Sequence, residues 1–292
     1  MKSVLKKIYS LIPFKKQLFQ FIRFFGAPPH SIYKHLHFTG VIKIKADTNA
    51  SFKMMHYGME IENDIFWKGL TGGWEKISIN IWKELCKQSR LILDVGANTG
   101  IYALTAKAVN PAAQVFAFEP LSQMYRKLKA NAELNKYEIT CVEKALSDKD
   151  GTAIIYETGG DHEAAATLNE EVKAYGKLGK ETIIETITLD SFFKQNRLPK
   201  ADLIKIDVET YEPYVMAGYK DHLADHHPDF LIEVLTEEVG NRLQTFFNGL
   251  NYYYFNIDDK NGTVRRVDKI VKSDYFNYLV CSPESAVRLG LV

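Results

Sequence analysis

Residues 91–100 read LILDVGANTG. Leu91 to Asp94 form a short apolar run that ends in an acid, and a turn with Gly96 and Gly100 follows. Next comes IYALTAKAV, which puts Ile101, Leu104, Thr105 and Ala108 on one helical face. The pattern predicts a buried strand, a tight loop and a helix N-terminus. Glycines let backbone approach a ligand closely, and the first N–H groups of a helix can take polar or anionic groups. An ordinary βα turn would look similar, but the next stretch argues against it. QVFAFE, residues 114–119, is a second strand ending in an acid about 20 residues beyond the glycine loop, where nucleotide-binding βαβ units hold ribose hydroxyls.

A dinucleotide site wants G-x-G-x-x-G, with glycines close enough to admit a pyrophosphate. Here the spacing is Asp94-x-Gly96-x-Asn98-x-Gly100, then Glu119-Pro120. Two further stretches bear on the comparison: KALSD at Lys144–Asp148 and LIKIDVETYEPYVMAG at Leu203–Gly218. Together the four blocks resemble the FkbM family of class I S-adenosylmethionine (SAM)-dependent methyltransferases, from roughly Ser89 to Ser282. The resemblance implies a doubly wound, Rossmann-like α/β sheet of seven strands with the last antiparallel. It implies SAM as cofactor, held by Asp94, Gly96, Asn98, Thr99, Gly100, Glu119, Pro120 and Asp207. It carries Ala145, Leu146 and Ser147 to the adenine edge. It also implies O-methylation of a hydroxyl on a sugar, glycan or small natural product. The chain departs from the family where Thr210-Tyr211 follows the I-D-V-E run, which bears on the substrate side.

Lys205 breaks an otherwise apolar strand in ADLIKIDV, and Asp207 and Glu209 stand two apart, hence on one face of an extended strand end. Parallel strands present functional groups at their carboxyl ends, so Asp94, Glu119, Asp207 and Glu209 are expected on one edge. Asp207 is a candidate base for an acceptor hydroxyl. His162, flanked by Asp161 and Glu163 in a glycine-led loop, is the other, although an exposed loop histidine would look the same. Glu209, Tyr211 and Trp74 are candidates for the acceptor wall. Asp207, Glu209 and Glu233 would also suit Mg²⁺, which prefers oxygen ligands. Three rivals stay open: a nitrogen acceptor, a dinucleotide oxidoreductase, and a non-catalytic module on the same fold.

The rest of the chain frames this centre. Its 292 residues can bury a sizeable core, and 37 basic residues balance 36 acidic ones, so nothing drives nucleic-acid binding. Cys86, Cys141 and Cys281 show no C-x-x-C pairing, which fits a reducing, cytoplasmic setting and argues against a structural zinc site. Residues 1–30 form a basic, aromatic, amphipathic helical extension broken at Pro13, with a linker at Gly26-Ala27-Pro28-Pro29. Residues 1–25 could lie on an anionic membrane, or pack on the body or on a second subunit in a homodimer. Residues 31–88 are expected to form a hairpin (40–46 with 51–58) and a helix from Glu75 to Lys87, and to act as a lid. Tyr57, Trp67 and Trp74 are core aromatics or cation–π lining. Residues 89–292 are the methyltransferase-like domain, with a β insertion at 151–190. Glu138–Leu146 reads as the third strand, and Asp258–Gly262 as a turn before a solvated Arg265-Arg266.

Overall fold

A computed structural model describes residues 14–158, 165–168 and 181–292. The strand predicted at the head of the glycine loop is β3 (Leu91–Val95), and the one ending before Glu119 is β4 (Gln114–Phe118). They pair in parallel within an eight-stranded sheet, with β4 one strand in from an edge. On one side of β4 lies β5 (Ile139–Val142), and on the other side of β3 lie β10 (Leu203–Ile206) and β11 (Asp229–Glu233), all parallel. β14 (Asn277–Cys281) is antiparallel to β11, and β12 (Tyr253–Asp258) pairs with β14. These are the seven expected strands, with the last in sequence antiparallel. An eighth, β13 (Thr263–Val267), adds an edge beside β12. It holds Arg265 and Arg266, which are exposed as expected but lie in a strand; charged residues suit an exposed edge.

The expected third strand, Glu138–Leu146, divides. Its first part is β5, and its last two residues form β6 (Ala145–Leu146) in a separate sheet. There β6 joins β9 (Glu181–Ile187), which pairs with β7 (Gly151–Thr158), which pairs with β8 (Ala165–Thr167). The chain therefore changes sheet just after β5. The short helix after β9 is capped by Thr188, whose Oγ1 accepts from Ser191 N–H at 3.0 Å.

The main sheet buries both faces, as parallel sheets do. Side chains alternate strictly, so period two assigns each residue to a face. Leu93, Val95, Phe118, Ile204 and Ile206 join the core on one side. Ile92, Ala117, Leu203 and Leu231 face the other side, with the helices Lys76–Cys86 and Ile101–Val109. By that alternation Asp94, Glu119, Lys205, Asp207 and Glu233 all project to the second side.

The hairpin of β1 (Gly40–Lys45) and β2 (Ser51–His56) covers that side. It is pinned by side-chain amides of the helix Ser122–Asn135. Asn131 accepts from Met55 N–H at 2.9 Å and donates to the Thr99 carbonyl at 2.9 Å, so one residue ties hairpin to glycine loop. Asn135 exchanges a matching pair of bonds with Lys53. The helix Lys76–Cys86 is fixed to the far edge, because Asp259 accepts from both Ile77 and Ser78 N–H.

Candidate active site

A cavity of about 240 Å³ opens at the carboxyl ends of β3, β4, β10 and β11. Its floor is the glycine loop. Gly96 sits at φ +78, and a Cβ there would lie 1.9 Å from the Asp207 carbonyl oxygen. Only glycine lets the loop pass this close to the end of β10. Asn98 also takes a left-handed conformation, φ 50, which asparagine tolerates better than most residues. Gly100, at φ +94, then caps the helix Ile101–Val109.

Of the residues expected to hold a cofactor, Gly96, Asn98, Thr99, Glu119, Pro120, Ala145, Leu146 and Asp207 line the cavity. Asp94, Gly100 and Ser147 stand behind the wall. Asp94 is fully buried, and its Oδ2 accepts from Ala103 N–H at 2.9 Å, bracing the helix start under the loop. Its Oδ1 has no hydrogen-bond partner, and burial pushes the carboxyl up to about 6. Ser147 bonds the Tyr211 hydroxyl at 3.0 Å and so positions that ring, which lines the cavity. Glu119 accepts from Asn98 N–H at 3.0 Å and from Leu121 N–H at 2.9 Å. Burial outweighs these donors and pushes it up to about 7.

At the other end, Lys205 is 5% exposed and sits among carboxyl groups. Its Nζ lies 2.8 Å from Asp207 Oδ2 and 4.6 Å from the centre of the Tyr102 ring. Burial pulls the ammonium pKa down, but Asp207, Asp94 and Glu75 outweigh it and the pKa rises. Glu75, at the head of the helix Lys76–Cys86, accepts from the Tyr102 hydroxyl, and burial beside Asp207 raises its pKa. Glu233 is pushed far up by burial and by Asp207, Glu209, Glu212 and Glu75, so it keeps its proton at neutral pH. Its Oε2 is buried without a partner.

Asp207 and Glu209 do not share a strand face as their spacing predicted. β10 ends at Ile206, and Glu209 and Thr210 both take positive φ, 55 and 77. The chain turns here because the Glu212 carboxylate accepts from Val208 N–H at 3.1 Å and from Thr210 N–H at 3.3 Å. Glu209 and Tyr211 nonetheless both reach the cavity. Burial, with Asp207 nearby, pushes Glu209 up to about 7. Thr167 Oγ1 donates to the Glu209 carbonyl at 2.6 Å, so β8 of the second sheet helps hold the turn.

Trp74 lines the cavity, presented by a bond from its N–H to Asp64 and packed edge-on against Tyr102 at 6.0 Å. Trp67 is core, 3% exposed. Tyr57 lines a different groove near the helix Lys15–Phe25. His162 lies outside the described residues. Among the described residues no three His, Cys, Asp or Glu side chains converge as a metal-ligand set, so Asp207, Glu209 and Glu233 do not form the Mg²⁺ group their clustering suggested. Lys205 supplies the positive charge there.

Glu62, Glu75 and Tyr102 had not been singled out as site residues. Glu62 is 1% exposed, its Oε1 lacks a partner, and it lines the cavity from the hairpin side. The one hint in sequence was acids interrupting an aromatic-rich stretch before the first core strand.

Known proteins resemble the chain in sequence. The chain is 28% identical over 155 residues to the 31-O-demethyl-FK506 methyltransferase FkbM of Streptomyces tacrolimicus, covering 45% of this chain and 60% of that protein. It is 28% identical over 149 residues to the hexuronic acid methyltransferase AglP of Haloferax volcanii, covering 51% and 58%. It is also 28% identical over 159 residues to the 2-O-methyltransferase NoeI of Sinorhizobium fredii, covering 51% and 65%. The chain thus spans about three fifths of the length of these curated relatives. Among solved structures, the methyltransferase FkbM from Methylobacillus flagellatus overlays with a TM-score of 0.43 at 12% identity, covering 66% of this chain and 43% of that one. The family's own sequence profile, the methyltransferase FkbM domain, matches residues 94–273, from the acid of β3 past the edge strand β13. With well over half of its length in that match, the chain belongs to the FkbM methyltransferase family.

Proposed function

We propose that this protein transfers a methyl group from SAM to a hydroxyl of a small, uncharged, polyhydroxylated acceptor such as a saccharide. The observation that carries the reading is the cavity's two ends, a glycine-loop cradle at one and a carboxyl cluster around Lys205 at the other.

The lining fits the cofactor. Glu119 spends one lone pair on each oxygen for backbone donors and keeps others for ribose hydroxyls. Phe118, Pro120, Leu121, Ala145 and Leu146 supply an apolar slot for adenine. The unpartnered Oε1 of Glu62 suits an ammonium, and an acidic wall suits a sulfonium. When bound, SAM supplies an electrophilic methyl group.

The chain's own task is to align the acceptor hydroxyl and remove its proton. Glu209 is the group suited to that. It lines the cavity, its basicity lies near neutrality, and among the described residues no hydrogen bond reaches its carboxylate. Asp207 is clamped by Lys205 at 2.8 Å beside it. Glu233, carrying its proton, can donate to an acceptor oxygen.

Burial holds Glu62, Glu119 and Glu209 near neutrality against the two lysines of the lining, Lys144 and Lys205, so the wall turns negative as pH rises through about 7 and from there disfavours an anionic acceptor. The hexuronic acid named for AglP would meet that repulsion here. Incubation with SAM and neutral sugars, amines or uronic acids tests the reading by mass. Addition of one methyl group to a neutral sugar hydroxyl is expected. Transfer to amines alone would discard the hydroxyl acceptor, and SAM binding without any transfer would favour a non-catalytic module.

A further inference from the structure

The helix Lys15–Phe25 meets the body along one side only. Phe19 is 3% exposed and packs against Trp67 at 5.7 Å and Phe38 at 6.0 Å. Arg23 lies 5.2 Å over the Phe66 ring. The other side carries a second apolar row. Phe14, Leu18, Phe21 and Phe25 follow one another at spacings of four, three and four, so they stack along one stripe. Their exposures are 75%, 44%, 64% and 73%, and neighbouring Phe24 is 84% exposed. A contiguous apolar patch of this kind marks an interaction surface.

Charge indicates the partner. Asp47 is the first acid in the chain, and every charged side chain before it is Lys or Arg. At the start of the same helix, a groove is lined by Phe14, Lys15, Lys16, His37 and Tyr57. A second copy in a two-fold contact would set this basic surface against itself. An anionic lipid surface answers both features, offering phosphates to the lysines and an acyl boundary to the phenylalanines. No helix among the described residues is long and apolar enough to cross a membrane.

We propose that the helix Lys15–Phe25 docks this protein on an anionic phospholipid surface, with Phe14, Leu18, Phe21 and Phe25 entering the headgroup–acyl boundary beside Lys15 and Lys16. Co-sedimentation of the full chain with vesicles tests it. Vesicles of equal parts phosphatidylcholine and phosphatidylglycerol should bind at least ~10-fold more tightly than phosphatidylcholine alone, and salt should weaken the binding. The double variant Phe21→Glu/Phe25→Glu should lose at least ~10-fold of that affinity. Both rings lie in solvent, so its thermal transition should match the wild type. Lys15→Glu/Lys16→Glu should lose affinity for the anionic vesicles alone. Equal binding to both vesicle types, no binding to either, or a Phe variant that binds as wild type would overturn the proposal. Self-association abolished by the Phe variant, without vesicle binding, would assign the face to a second copy.

Discussion

The two halves of the cavity handle their acids differently. On the β3–β4 half, Asp94 and Glu119 are tied to backbone N–H groups of their own loops, at Ala103, Asn98 and Leu121. On the β10–β11 half, the carboxyl groups of Glu209 and Glu233 accept no hydrogen bond from the described residues, and the balancing charge beside Glu209 is one lysine, Lys205. The first half is built to be rigid before any ligand arrives. The second stores unsatisfied polarity, which costs stability and is kept where chemistry needs it.

Removing the lysine should expose the contrast most strongly. Lys205→Met leaves buried Asp94 and half-buried Asp207 without their counter-charge, and should cost about 2–4 kcal/mol in urea unfolding. A cost under ~1 kcal/mol would mean the acids protonate and the two halves are alike. Next is Glu209→Gln, which keeps shape and removes the base. It should lower kcat about 100-fold or more and leave SAM affinity unchanged. In the wild type, kcat should rise with pH through about 7, where burial has set Glu209, and that rise should vanish in the variant. An equal rate in Glu209→Gln would return the role of base to Asp207 or His162.

Stability should respond to pH more gently. Burial raises Asp94 to about 6, Glu62 and Glu119 to about 7, and Glu212 to about 8. The folded protein therefore binds more protons than the unfolded chain, whose carboxyls titrate near ~4. Their stabilising contribution is complete below that value and is lost as pH rises through the folded values. Tm of the ligand-free protein should fall by a few degrees between about pH 5 and about pH 8. A Tm that rises over this window would show that these acids are ionised and paired.

The same division explains what could be read from sequence. LILDVGANTG carries its loop in local signals: a run of apolar residues, glycines where φ is positive, and an acid one turn before a helix. Strand alternation then places Lys205 beside Asp94, because the two pair directly across β10 and β3. Glu75 was hidden, since its partner Tyr102 is 27 residues away and reaches it only through helix packing. Glu209 was assigned to the wrong local geometry because the turn is imposed by Glu212, whose role as a backbone acceptor has no sequence signature. The division of Glu138–Leu146 between two sheets was equally invisible, as the apolar pattern runs through it unbroken.

The central claim is that Glu119 and the glycine loop grip SAM between β3 and β4. Calorimetric titration of SAM into the wild type and Glu119→Ala, with NAD as control, tests it most directly. SAM should bind the wild type, NAD should give no heat, and Glu119→Ala should weaken SAM by about 10-fold or more, through the lost ribose bonds. SAM binding to Glu119→Ala with wild-type affinity, or no SAM binding at all, would contradict it.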